Sequence, residues 1–261
     1  MPSQLLLGAF FACIIAAGSY AYRFLTLSGA IATLSLGVIV FGIGGWQWAV
    51  PILTFFLLSS LLSKYGRSRK EQYDAIFGKS YTRDWGQVAA NGGIPGVIVL
   101  LSAFFPIYDF YPFYLGALAA VTADTWGTEI GILTRGRTLS VVSLQPVSPG
   151  TSGGISQNGT IAGAIGAVVI ALSGYAWFLD LKTALVILLA GMAGSLIDSI
   201  VGATLQVQFR CEVCGKQTER KVHCGRQTTK LAGVSWIDND IVNFFCSLVG
   251  ALIAGVLLRL L

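Results

Sequence analysis

The chain has 261 residues, of which 54% are hydrophobic and only 11% are charged, and its mean hydropathy is +0.73. Soluble domains carry about 25% charged residues, so this composition excludes an ordinary soluble enzyme and predicts an all-α, polytopic membrane helix bundle. The formal net charge is +5, but the cations lie in loops between apolar runs, and no nucleic-acid partner is expected.

Eight apolar segments are long enough to cross a bilayer, which takes about 17–25 helical residues. Residues 1–261 are expected to form a single integral membrane domain, and residues 207–235 a cytoplasmic Cys/His loop inserted between the last two spans. The predicted spans are residues 4–22, 27–44, 46–63, 88–107, 111–133, 160–178, 183–206 and 241–259.

The positions of Lys and Arg predict the orientation of these spans. With both termini outside, only Lys182 and Arg259 of the 17 cationic residues lie on the outer side. Because cytoplasmic loops carry the excess of Lys and Arg, this orientation is favoured, and a prokaryotic plasma membrane is expected. The cytoplasm is reducing, so the three cysteines of the 207–235 loop are not expected to form disulfides.

The loop after the third predicted span contains two groups of cationic residues with different expected roles. Lys79 and Arg83 precede Asn91 at the cytoplasmic start of the fourth span, and all three are expected to bind a substrate. A cluster nearer the third span is expected to contact lipid headgroups as a topology signal. That cluster consists of Lys64, Arg67, Arg69 and Lys70.

Acidic residues within the spans are the strongest functional signal. Asp124 and Glu129 lie in the fifth predicted span and Asp198 in the seventh, where a charge costs at least about 2.5–3.5 kcal/mol unless it faces a cavity or a partner. Helical spacing places Thr128 beside Asp124 and Thr125 beside Glu129. The three carboxylates predict a catalytic Mg²⁺ site, because Mg²⁺ binds one or two carboxylates and keeps water and phosphate as its other ligands. The alternative is carboxyl groups that link helices by hydrogen bonds.

The loop after the fifth predicted span has the composition of a phosphate-binding loop. Arg135 and Arg137 come first, and a run rich in glycine and hydroxyl groups follows, in which backbone N–H groups are free to bind anions. A flexible connection is the alternative for this run. The candidate binding residues in it are Ser148, Gly150, Thr151, Ser152, Gly153, Gly154 and Ser156.

The polar residues converge on the cytoplasmic side of the predicted bundle. The last span begins with four further candidate binding residues, Asp238, Asn239, Asp240 and Asn243, although Asp238 also fits a simple helix N-cap. A carrier would instead place polar groups near the midplane or along a complete path. The pattern therefore predicts an interfacial site open to the cytoplasm.

The loop between the last two spans contains a C-x-x-C-G motif. Cys211, Cys214, His223 and Cys224 offer the ligands of a structural Zn²⁺ site. His223 and Cys224 are adjacent in the chain, which makes tetrahedral ligation by both awkward. A reduced loop without metal and a redox pair are the alternatives.

Five runs together resemble one known family. The runs are GKSYTRDWGQVAANGG, ADTWGTEIG, SPGTSGGIS, GSLIDSIVGATLQ, and the Cys loop followed by WIDNDIVN, and they extend over residues 64–245. In this order they resemble the integral membrane family that includes plant phytyl-phosphate kinase. That family is in turn similar to CTP-dependent dolichol and phytol kinases and to CDP-diacylglycerol synthases.

The resemblance implies a CTP- and Mg²⁺-dependent kinase in contact with membrane lipids. It would convert a phytyl or geranylgeranyl monophosphate to the diphosphate. Asp124, Glu129 and Asp198 would form the metal site, the cations at 79, 83, 135 and 137 would hold phosphates, and residues 148–156 would bind the nucleotide. A cytidylyltransferase that makes a CDP-lipid would use nearly the same parts, and a metal or lipid transporter is the non-enzymatic alternative.

Overall fold

The computed structural model describes residues 2–70, 73, 76–79, 81–134 and 136–261. The α-helices within them are α1 (Pro2–Ala21), α2 (Leu27–Gly37), α3 (Trp46–Lys64), α4 (Arg67–Lys70), α5 (Trp85–Phe104), α6 (Tyr111–Leu133), α7 (Gln157–Phe178), α8 (Leu181–Thr204) and α9 (Asn239–Leu260). A π-helix, Val38–Gly44, continues directly from α2.

Seven helical segments of the described chain are long and apolar enough to cross a membrane. They coincide with seven of the eight predicted spans, and α2 and the π-helix together form the second. The eighth predicted span is α6, a helix with the predicted bounds, whose 23 residues suffice to cross a bilayer. Its hydropathy falls below that of these seven because its C-terminal half contains Asp124, Glu129 and three threonines.

Helix α6 lies at the centre of the bundle, where it packs against α3, α5, α7, α8 and α9. Residues 117–121 of α6 are fully buried. Small residues allow this close approach: a Cβ atom added at Gly250 of α9 would lie only 2.4 Å from the carbonyl oxygen of Gly116. Since neighbouring helices surround α6, its polar side chains face protein and cavities instead of lipid.

Helices α1 and α2 and the π-helix form a peripheral unit, which reaches the central helices through α5 and α3. The connection after α1 pairs with the loop before α5. The backbone N–H of Thr26 donates to the carbonyl of Arg83 (3.0 Å), and the N–H of Arg83 donates to the carbonyl of Phe24 (3.0 Å). These two bonds fix the backbone position of Arg83.

The strands are short and occur in two inter-helix loops. Strands β1 (Thr138–Ser140) and β2 (Gly154–Ser156) form an antiparallel pair before α7. In the 207–235 loop, β4 (Gln217–Thr218), β3 (Gln208–Arg210) and β7 (Thr229–Ala232) form a three-stranded antiparallel sheet, and β5 (Val222–His223) pairs with β6 (Arg226–Gln227).

Candidate active site

Two cavities adjoin beside the C-terminal half of α6. The larger has a volume of about 830 Å³ and lies among α5, α6, the start of α9 and the Cys/His loop. The smaller, of about 400 Å³, lies among α6, α7, α8 and the 148–156 loop. The residues that line both are Phe77, Asp124, Thr128, Ile132, Gln206, Glu219 and Asn239.

A pair of aspartates lies where the two cavities meet. The carboxyl groups of Asp124 and Asp198 are close enough to interact directly. Asp124 lines both cavities, whereas Asp198 lines the smaller one. Among the described residues, no Lys or Arg forms an ion pair with either carboxyl. Two partly buried carboxyls this close require a proton or a cation between them, so the donor set fits a hard divalent cation such as Mg²⁺.

Glu129, predicted to share that metal, has other partners. One oxygen accepts a hydrogen bond from Ser63 Oγ and the other pairs with Lys70 Nζ, at 2.5 Å in each case. Lys70 is fully buried and also donates to the carbonyl of Leu62 at the end of α3 (2.8 Å). The expectation that Lys70 contacts lipid headgroups is therefore wrong, because short helix α4 folds its ammonium into the bundle. Glu129 still lines the larger cavity.

Arg83 presents an unpaired cation to the larger cavity. Its guanidinium lies 5.4 Å from the ring centroid of Phe55 and 5.9 Å from that of Phe56, and no described residue accepts a hydrogen bond from it. Burial lowers the pKa of Arg83 to about 10, against the opposing effect of the Glu129 charge, so the group remains protonated at neutral pH. A charged guanidinium with free donors is suited to bind a phosphate.

Lys79, the other predicted phosphate ligand of this loop, is already neutralised. Its ammonium pairs with Asp84 (2.8 Å) and with Asp240. Burial alone would lower the pKa of Lys79, but the bonds to Asp240 and Asp84 raise it overall. The structure therefore uses Lys79 to join the N-termini of α5 and α9 at the wall of the larger cavity.

The glycine-rich loop is held against α8 beside Asp198. Gly153 has φ of +75°, and a Cβ atom there would lie 2.6 Å from the carbonyl oxygen of Ser199, so only glycine fits without strain. Ser156 caps α7 by accepting a hydrogen bond from the backbone N–H of Gly159 (3.2 Å). The N-terminus of α7, with its free N–H groups, thereby borders the smaller cavity.

Most predicted site residues line one of the two cavities. Besides the residues already described, the larger cavity is lined by Asn91, Thr125, Asp238, Asn239, Asp240 and Asn243. Gly150, Thr151, Ser152, Gly153, Gly154 and Ser156 line the smaller. Asp238 is also the N-cap of α9, since its Oδ1 accepts from the N–H groups of Asp240 and Ile241. Arg137 and Ser148 are exposed and line neither cavity, and Arg135 lies outside the described residues.

Glu219 is a site residue that the sequence did not indicate. Its carboxylate accepts hydrogen bonds from the backbone N–H of Gly78 (3.1 Å), from Ser152 Oγ (2.8 Å) and from Gln206 Nε2 (2.7 Å). Burial raises the pKa of Glu219, and these three bonds oppose the shift. Glu219 therefore fastens the loop before α5, the glycine-rich loop and the end of α8 to the Cys/His loop.

The Cys/His loop brings its four predicted ligands together. The ligand atoms of Cys211, Cys214, His223 and Cys224 all lie within 4.8 Å of one another, as tetrahedral Zn²⁺ coordination requires. Cys224 has φ of +52°, and this left-handed conformation lets the adjacent His223 and Cys224 face the same centre. The cluster therefore has the composition and compactness of a metal site such as a zinc site.

The protonation of the sulfurs fits the same interpretation. Hydrogen bonds from the Cys214 backbone and from the His223 ring lower the pKa of Cys211 to about 6, whereas burial and the neighbouring sulfurs of Cys214 and Cys211 raise that of Cys224 to about 11. The crowded thiols therefore cannot all ionise unless a cation balances them.

We expect one Zn²⁺ per chain in the purified protein, measured by elemental analysis. Replacement of Cys211 and Cys214 by Ser should remove the zinc and lower the thermal unfolding midpoint, because the short strands β3–β7 have little apolar core of their own. The control is Cys13→Ser, at an exposed position in α1. This variant should keep the zinc and the wild-type unfolding midpoint. Zinc-free wild-type protein whose stability is unaffected by the double substitution would contradict a structural metal site.

Together these features define an integral, multi-pass membrane protein whose helix bundle encloses a two-part polar site at one end. Residues 10–251 match the family described as "Integral membrane protein DUF92", and the chain belongs to this family. The family predicted from the five motifs, that of plant phytyl-phosphate kinase, is thereby confirmed.

Several relatives align over most of the chain. Protein PGR of Arabidopsis thaliana is 30% identical over 279 residues, which cover 97% of this chain and 96% of the relative. An uncharacterized membrane protein of Methanocaldococcus jannaschii is 33% identical over 194 residues, 74% of this chain and 80% of the relative. Protein VTE6, chloroplastic, of Arabidopsis thaliana is 23% identical over 240 residues, 88% of this chain and 64% of the relative. No solved structure matches the chain.

Proposed function

We propose that this protein is a phosphotransferase that moves the terminal phosphoryl group of CTP to an isoprenyl monophosphate, such as phytyl or geranylgeranyl monophosphate, and forms the diphosphate. The observation that carries the proposal is the carboxyl pair Asp124–Asp198, which lies where a cavity containing the unpaired Arg83 meets a cavity bordered by a glycine-rich loop. The distant similarity to Protein VTE6 and the family membership support a kinase.

The two cavities suit the two substrates of such a reaction. The smaller cavity offers glycine N–H groups, hydroxyls and the N-terminus of α7 to the triphosphate. The larger cavity offers Arg83 to the acceptor monophosphate. Asp124 borders both, so a phosphoryl group that passes from one cavity to the other passes this carboxylate.

Phosphoryl transfer depends on positioning and charge neutralisation more than on covalent chemistry by the protein. Asp124 and Asp198 would hold Mg²⁺, which supplies positive charge for the phosphate oxygens. Arg83 orients the acceptor, and Glu219 keeps the glycine-rich loop closed over the donor through Ser152. The acceptor phosphate has a second pKa of about 6 and is mostly ionised at neutral pH, so the site needs no general base.

The proposal is tested with purified protein, Mg²⁺ and a panel of isoprenyl monophosphates that differ in chain length. Diphosphate should form with CTP from at least one member of the panel, and a chelator should stop the reaction. The same panel with ATP, GTP and UTP gives the nucleotide preference. Failure of every combination to yield a phosphorylated product would contradict the proposal.

The proposed location is a prokaryotic plasma membrane, with both termini outside and both cavities open to the cytoplasm. In a Cys13→Ser variant that keeps the Cys/His cluster, Lys182→Cys should be labelled by a membrane-impermeant maleimide in intact cells, with the labelled peptide identified by mass spectrometry. Ser68→Cys, which is also exposed in the structure, should be labelled only after the cells are lysed. Efficient labelling of Ser68→Cys from outside would show that the orientation is the opposite one. Both cavities would then face away from the cytoplasm and its CTP, which would contradict the proposal.

A further inference from the structure

A third, apolar cavity lies next to the larger polar one, between the peripheral unit and the central helices. Its volume is about 80 Å³. Its walls come from α1, α2, the π-helix, α3 and α5, and include Ile15, Leu36, Val40, Ile52 and Leu53. A π-helix is rare and is frequently found at functional sites, and here its Val40 forms part of the wall.

This apolar cavity shares its mouth with the larger polar cavity. Arg83, Gln87 and Asn91 line both. Asn91 donates through Nδ2 to the carbonyl of Gln87 (2.9 Å), while its Oδ1 atom is buried with no partner. Buried polar atoms are rarely left unpaired in proteins, so the mouth is complete only when another group donates to this oxygen or brings a bridging water.

The cation at this mouth also contacts the apolar wall. The Arg83 guanidinium lies over the rings of Phe55 and Phe56, and both rings line the apolar cavity. The Arg83 side chain therefore borders the larger polar cavity and the apolar cavity at the same time. The complementary ligand is an anionic phosphate joined directly to a hydrocarbon chain.

We propose that the apolar cavity binds the first, phosphate-proximal part of the isoprenoid chain. This inference rests on the proposed function, which it extends by giving the acceptor a direction: phosphate at Arg83, and chain between the peripheral unit and α3. The cavity holds only the start of the chain, and the remainder leaves between helices toward lipid. The outer face of α1 is exposed and apolar at Leu6, Phe10 and Ile14, so the exit is compatible with a bilayer.

The geometry favours an isoprenyl phosphate over a membrane phospholipid. A phospholipid separates its phosphate from two acyl chains by a glycerol, and both chains would have to enter through the same mouth. The single chain of an isoprenyl phosphate begins at the phosphate oxygen, where Arg83 lies. Competition between these two ligand classes is therefore part of the test.

The first experiment uses variants that fill the cavity. Leu53→Trp places a large side chain in the cavity, and Leu57→Trp, one helical turn later on the exposed face of α3, is the matched control. Leu53→Trp should raise KM for geranylgeranyl monophosphate at least about tenfold, since apolar contact area is lost. KM for CTP should not change, and Leu57→Trp should behave as the wild type.

A second pair of variants, on α1, tests the same cavity independently of any folding defect in Leu53→Trp. Ile15→Phe fills the cavity from the opposite wall, and its neighbour Ile14 is exposed, so Ile14→Phe is the control. Thermal unfolding of each detergent-solubilised variant is measured alongside the kinetics. Unchanged KM values for geranylgeranyl monophosphate in both folded cavity-filling variants would overturn the proposal while leaving the kinase activity in place.

The second experiment needs no activity. A geranylgeranyl monophosphate with a photoreactive group on its first isoprene unit should label α2 or α3 near Leu36 and Leu53. Excess unlabelled geranylgeranyl monophosphate should prevent the labelling, and phosphatidic acid should not. Labels confined to α7 and α8, or equal displacement by phosphatidic acid, would overturn the proposal. Labelling of α3 in a protein that makes no diphosphate would support the cavity and contradict the proposed function.

Discussion

Asp124→Asn should lower the rate of phosphoryl transfer at least about 10²-fold, a loss comparable with removal of one major electrostatic contact to a transition state. Asparagine keeps the shape of the side chain and its ability to hydrogen-bond to Asp198, but it carries no negative charge to hold Mg²⁺. Replacement of a buried acid by an amide also makes membrane insertion easier. The defect should therefore appear in a well-folded protein.

A control and a second site variant separate a metal role from a structural one. Asp109→Asn changes an exposed carboxylate before α6 that lines none of the three cavities described, and should turn over like the wild type. Asp198→Asn should show a defect of the same kind as Asp124→Asn. If Asp124→Asn retained wild-type turnover at ordinary Mg²⁺ concentration, the carboxyl pair would be a helix link and not a metal site.

Lys70→Met should destabilise the protein by about 3–5 kcal/mol, because it leaves Glu129 as a buried charge without its partner. The ammonium of Lys70 is fully buried and also holds the carbonyl end of α3. Lys182→Met, at an exposed position of α8, should have little effect. The measurement is equilibrium unfolding in detergent, compared between variants under one set of conditions.

The double variant Lys70→Met/Glu129→Gln tests the cause of that loss. Removal of the orphaned charge should restore part of the stability, so the effects of the two substitutions should not be additive. Additive losses would mean that Lys70 acts through α3 alone. Glu129→Gln also bears on the metal, since a protein that keeps its Mg²⁺ dependence after this change does not use Glu129 as an essential ligand.

The helix bundle, and most of the residues that line the two polar cavities, could be predicted from local sequence patterns. Apolar length predicts the spans, and acids placed among apolar residues indicate a cavity, because an isolated charge there is costly. Asp124, Asp198 and the glycine-rich loop line one cavity, in agreement with their predicted convergence on one side of the bundle. Helix α6 is less apolar than a lipid-facing span. It tolerates polar residues because the helices packed around it separate them from lipid.

The contacts of individual side chains could not be predicted from the sequence, because these contacts join distant parts of the chain. Lys70 and Glu129 are 59 residues apart, and their contact depends on the short helix α4, which turns back after α3. Glu219 lies 141 residues from Gly78, in a loop whose cysteine motif indicates metal binding and gives no sign of a role for Glu219. The convergence of His223 and Cys224 on one centre depends on a left-handed backbone at Cys224, which the residue type does not indicate.

The most direct test of the account follows the phosphorus atoms of CTP. Purified protein is incubated with Mg²⁺, geranylgeranyl monophosphate and CTP labelled at either the γ- or the α-phosphate, and the lipid and nucleotide products are separated. We predict that the γ-label enters the lipid as a diphosphate and that the α-label remains in CDP. Transfer of the α-label to the lipid, with release of pyrophosphate, would contradict the kinase and identify a cytidylyltransferase instead.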